Sequence, residues 1–170
     1  MSHTQRLQSM ASRIRLEFTN LERLVPQIET AARLAGQDED YRPFFIASAA
    51  FDLQDFYTAI ERLLKTIAAQ FDAPLPTGEP GEFELLYQMK ADQPGDRPAV
   101  LSVESYEALL EYQLFRTVAR RVYSFELRAE RVIELADTVR KTYTLASQDL
   151  LKFADYLDAQ FGGSAAEAGG

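Results

Sequence analysis

A chain of 170 residues with 46% hydrophobic side chains is sized for one domain, and 26 acidic against 18 basic residues leave it a formal charge of −8. That net field repels nucleic acid and anionic lipid, so a polyanion has to be held by a local feature. There is no cysteine, and His3 is the sole histidine, which excludes disulfides and His/Cys zinc sites and removes the usual proton carrier from the body of the chain.

The charged opening MSHTQRLQSMASRIRLEF does not fit a secretory signal, and no stretch approaches the ~20 apolar residues of a membrane span. The absence of cysteine suits a reducing compartment. A cytoplasmic protein without membrane contact is the expectation.

From Thr4 to about Leu34 the residues Leu7, Met10, Ile14, Leu21, Leu24, Ile28 and Ala32 recur at intervals near three or four, the spacing of a long amphipathic helix kinked at Pro26. GQDED at 36–40 is a polar stop. Phe45, Leu53, Phe56, Ile60, Leu63, Ile67 and Phe71 then predict a second helix to about Asp72. APLPTGEPGE at 73–82 packs three prolines and two glycines into one run and reads as an ordered crossover that cannot hold helix. Phe83 to Met89 fits a short helix before the turn cluster DQPGDRP at 92–98.

Ser102 offers an N-cap with Glu104 in the first turn, and Tyr106, Leu110, Phe115, Val118 and Val122 carry the next helix. A last periodic stretch runs from Leu127 to about Phe161, where Gly162 and Gly163 are expected to end it. Residues 1–161 therefore read as a single domain and 162–170 as a disordered tail. No stretch alternates with period two. The expected fold is all-α, an antiparallel bundle of four to five helices.

The most pointed segment is YQLFRTVARRVYSF at 112–125, which carries three arginines and no acid. On a helix, Arg116, Arg120 and Tyr123 share one face while Phe115, Val118 and Val122 take the other, so the apolar stripe should face the core and the guanidinium groups solvent. Such a patch suits a phosphate ligand. It is equally a solvated flank whose arginines pair with Glu or Asp of a neighbouring helix. Asp52 and Asp55, three apart, can be read as a Mg²⁺ or acid-base pair, or as a solvated flank; no metal site and no cofactor is expected. Phosphate-loop, nucleophile-elbow and dinucleotide fingerprints are absent from the sequence.

The run GEPGEFELLYQMKADQPGDRPAVLSVESYEALLEYQLFRTVARRVYSFEL at 78–127, with DLQDFYTAIERLL at 52–64 upstream, resembles the HepT-like branch of the HEPN domains. RPAV at 97–100, EYxxFRxxxRxVY at 111–123 and FYxxxER at 56–62 carry the likeness. The resemblance implies a helical bundle acting as a homodimer, and a metal-independent endoribonuclease that is the RNA-directed toxin of a bacterial toxin–antitoxin pair. It also implies a cognate minimal nucleotidyltransferase antitoxin, which adds AMP to the tyrosine beside the motif.

By that likeness Arg116 stands at the motif arginine, and Arg116 with Arg121 is the candidate catalytic pair. Arg116, Arg120 and Arg121 are the candidate RNA-binding set, with Tyr57, Glu61 and Thr117 in support and Tyr123 as the candidate modified residue. Read from the residues, Tyr123 is equally a tyrosine at a helix edge with its hydroxyl in water, and Glu61 is an acid that orients Arg116 or Arg120 across the bundle.

The motif histidine is missing. Relatives tend to read RGFRH where this chain has Gln113, Leu114, Phe115, Arg116 and Thr117, and many carry His or Asn at the place of Arg121. Neither threonine nor arginine exchanges a proton near neutral pH. A degenerate protein that binds RNA, a nucleotide or a nucleotidyltransferase partner without cleaving is therefore the alternative. An acidic helical homodimer whose arginines pair with its own helices is the third.

Overall fold

The computed structural model describes the backbone of residues 2–167 and the side chains of 2–160. Five helices follow one another: α1 His3–Ala35, α2 Arg42–Phe71, α3 Gly78–Gln88, α4 Val103–Ala119 and α5 Ala129–Glu167, with a single 3-10 turn, Ser124–Glu126, between the last two. The all-α expectation is met, with no strand among the described residues. No helix there is long and apolar enough to cross a membrane.

α1 opens on a capping box in which the Ser2 hydroxyl accepts from the Gln5 N–H at 3.1 Å and the Gln5 side chain accepts from the Ser2 N–H at 2.8 Å. It then runs unbroken through Pro26. Arg42 donates to the Ala35 carbonyl at 3.1 Å across the turn, closing an α1–α2 hairpin whose second helix starts with Pro43 in its first turn.

α1 packs against both α2 and α5, and Ile14, Phe18, Leu21, Val25 and Ile28 of α1 are buried, as are Leu53, Ile60, Leu64 and Ile67 of α2 and Val139, Leu150 and Leu157 of α5. Three ion pairs set α5 antiparallel to it: Arg15 reaches Asp155 at 2.8 Å and Asp158 at 2.7 Å, and Arg140 Nε donates to Glu29 at 3.0 Å. α4 also runs antiparallel to α5. Its N-cap Ser102 donates to Asp149 at 2.8 Å, and the Tyr112 hydroxyl donates to the Leu135 carbonyl at 2.9 Å.

Three expectations need correction. α3 begins at Gly78, inside the Pro- and Gly-rich run read as helix-free, because Pro80 falls in a first turn where its missing N–H costs nothing. Gly81 is required there, since a Cβ would stand 2.7 Å from the Pro76 carbonyl carbon. α4 stops at Ala119, so Val122 is not on it, and Val118 is 56% exposed. α5 passes through Gly162 and Gly163 to Glu167; the remainder of the expected tail, 168–170, lies outside the described residues.

The crossover is pinned by Arg97, whose side chain is fully buried. Its Nε donates to Asp72 Oδ1 at 2.7 Å, and Nη1 donates to the carbonyls of Ala91 and Pro98 at 3.0 Å each. The loop at 92–98 is thereby tied to the C-terminus of α2. An uncompensated buried charge is costly, so Arg97→Ala should lower unfolding stability by about 3–5 kcal/mol in urea titrations. The double change Arg97→Met with Asp72→Leu should recover most of that loss, whereas a purely steric role for Arg97 would leave the double variant as unstable as the single one.

Candidate functional site around Arg116

The inward stripe of α4 is Leu109, Tyr112, Phe115 and Ala119, and Arg116, one turn beyond Tyr112, falls on its α2 side. The residue is 6% exposed. Its Nη1 donates to Glu61 Oε2 at 2.5 Å and to the Thr58 hydroxyl at 3.3 Å, and its Nη2 stands 3.6 Å from Glu82. The guanidinium carbon lies 4.6 Å over the Tyr57 ring, a cation–π contact.

Glu61 uses its other oxygen on Lys65, 3.2 Å away. Burial pushes the Glu61 carboxyl up, but the Arg116 hydrogen bond and charge, with Lys65 behind them, bring it below the ordinary carboxylate value. The Tyr57 hydroxyl moves far upward, first through burial and then through the Glu61 charge, so it stays a neutral phenol.

The other two arginines also meet carboxylates, but at the surface. Arg120, which ends α4, donates to Glu82 at 2.8 Å, and Arg121 pairs with Glu79. Arg116 turns away from water, whereas Arg120 and Arg121 stay at the surface with their side chains 37% and 61% exposed. Each meets a carboxylate of α2 or α3, which is the pairing that the sequence left open beside the phosphate reading. Two causes combine: the chain leaves the helix at Arg120, and the face anchored on Phe115 and Ala119 carries Arg116 inward with it. None of the three lines a groove among those found on the described surface.

Of the supporting set, Tyr57 and Glu61 come together on Arg116. Thr117 does not join them, because its hydroxyl donates to the Gln113 carbonyl of its own helix at 3.0 Å. Sequence reading missed Thr58, Glu79 and Glu82. The spacing GEPGE at 78–82 held the signal, two acids at a helix N-terminus facing a run of arginines. The Gln113 amide, the Tyr57 hydroxyl, Glu61 Oε1 and Arg116 Nε and Nη2 are buried with no hydrogen-bond partner among the described residues, so this polar cluster is only partly satisfied.

The acid pair on α2 builds no site. Burial and then the Asp55 charge raise the Asp52 carboxyl, and no group of three acids or histidines suited to a metal occurs among the described residues.

Beyond α4 the surface turns apolar. Tyr123 is 72% exposed and Phe125 81%, their rings stacked at 5.3 Å and 9°. Beside them Leu114, Val118 and Val122 stand open over a 430 Å³ groove.

A family model described as HepT-like protein matches residues 48–157. The chain belongs to this HepT-like family of HEPN proteins. No curated protein and no solved structure matches it.

Because the folded Glu61 carboxyl titrates below the ordinary 4.5, its stabilising share is complete above that value and disappears as pH falls through the lower folded one. Glu61→Gln should therefore unfold more easily than the parent at neutral pH, with the gap closing as the pH drops below 4.5. A gap that is constant with pH, followed by circular dichroism in denaturant, would show that the Glu61 charge does not hold Arg116.

Proposed function

We propose that this chain is the HepT-like subunit of a bacterial toxin–antitoxin module, in a form that acts through protein contact rather than by cutting RNA. The observation that carries the reading is the buried Arg116–Glu61 pair. Cleavage through the 2′-hydroxyl needs a cation for the phosphate and a group to exchange the proton. Here the motif arginine is buried, with its Nη1 taken by Glu61 and Thr58 and the Glu82 carboxylate 3.6 Å from its Nη2. Its neighbours are an ionised carboxylate and a phenol that burial keeps protonated. Arg120 and Arg121 are nearer to water, but Glu82 and Glu79 compete with any phosphate for them.

The exposed apolar surface at Leu114, Val118, Val122, Tyr123 and Phe125 supports the contact role. A second copy of the chain and a nucleotidyltransferase antitoxin are the partners in this reading, inside the cytoplasm. Tyr123 is its modified residue. The phenol oxygen attacks the α-phosphorus of ATP, pyrophosphate leaves, and the phenolic proton passes to a base of the partner enzyme. Exposure of the Tyr123 ring supports access to such an enzyme's active site.

Purified protein incubated with RNA in chelator should release no fragments above those of a buffer control. Dose-dependent cleavage abolished by Arg116→Ala would replace this reading with the metal-independent endoribonuclease in which Arg116 and Arg121 are catalytic. Incubation with the partner and ATP should add one AMP to the wild-type chain by intact mass and none to Tyr123→Phe. Labelling that survives in Tyr123→Phe would move the acceptor elsewhere.

A further inference from the structure

At the far end of the α1–α2 hairpin from its turn, a 480 Å³ groove is lined by Arg6, Ser9 and Arg13 of α1 and by Lys65, Thr66 and Gln70 of α2, over a floor that includes buried Met10. Four other grooves on the described surface each include at least one carboxylate. This one includes none. Arg6 and Arg13 have no ion-pair partner among the described residues, in contrast to Arg116, Arg120 and Arg121. In a protein of net charge −8, this groove gathers three cations with no acid in its lining, although Lys65 also reaches Glu61, outside the lining, at 3.2 Å.

We propose that the groove binds a phosphate ester, with Arg6 and Arg13 on one wall and Lys65 on the other as its phosphate contacts. Seven residues of helix separate the two arginines by about 10 Å along the axis. That spacing suits a ligand with more than one phosphate, either a nucleoside triphosphate or the backbone of a short RNA strand. Guanidinium groups supply paired donors to phosphate oxygens, and the Lys65 ammonium supplies a point charge from the facing helix. Ser9 and Gln70 add neutral donors, while Met10 gives the apolar part of the ligand a surface to cover. The Thr66 hydroxyl donates to the Arg62 carbonyl at 2.9 Å, so it offers the groove only its lone pairs.

The inference is independent of whether the chain cleaves RNA. Its test is fluorescence anisotropy of a labelled oligoadenylate RNA with the full chain, with unlabelled ATP as competitor. Arg6→Gln with Arg13→Gln, both at exposed positions, should weaken binding by about tenfold or more, the loss expected for charge-assisted hydrogen bonds. Affinity should also fall with added salt. Arg120→Gln with Arg121→Gln should leave binding intact, which separates this groove from the arginine cluster of α4.

Displacement of the RNA by ATP identifies a nucleotide pocket, and RNA binding that ATP does not displace identifies a track for the strand. Absence of binding by either probe overturns the proposal. So does binding that survives the Arg6 and Arg13 changes or that is lost with Arg120 and Arg121.

Discussion

One buried contact, Arg116 on Glu61 at 2.5 Å, governs what the rest of this bundle can do. A guanidinium removed from water is tolerable only if a carboxylate and further polar groups meet it. Three helices are committed to that requirement, α2 through Tyr57, Thr58 and Glu61, α3 through Glu82, and α4 through Arg116 itself. The chemical consequence follows from the same geometry. An arginine with its donors turned toward protein carboxylates has fewer left for an incoming phosphate, and the carboxylate that holds it is kept ionised by it.

The bundle was legible because its core is periodic. Ile14, Leu21 and Ile28 of α1 and Leu53, Phe56, Ile60 and Ile67 of α2 are buried, as intervals of three and four require. α3 was harder to read, since Pro80 and two glycines mask a helix start that is permitted only in its first turn. Arg97 was visible as part of a family motif, but nothing local in RPAV announces that its partner is Asp72, twenty-five residues back.

For the site, sequence placed Arg116 on the right helix and misjudged which way it faces, and it carried that helix past Ala119 to Tyr123. A helical wheel has no absolute zero, and choosing Val118 and Val122 as core set Arg116 outward. The structure sets the zero at Tyr112 and Ala119, which are buried while Val118 is open. Two neighbouring apolar stripes compete on α4, and the decision comes from α2 and α5, which no property of the α4 sequence contains. The acids of α3 were out of reach for a related reason: Glu79 and Glu82 matter only once α3 exists and lies beside the end of α4.

The two arginine groups also differ in how their fields are used. On α4, Glu61, Glu79 and Glu82 match Arg116, Arg120 and Arg121 charge for charge, so that end projects little positive potential and instead offers the apolar Leu114, Val118 and Phe125. At the open end of the hairpin, Arg6 and Arg13 are uncancelled. Lys65 joins the two regions, because Glu61 divides its oxygens between Lys65 and Arg116.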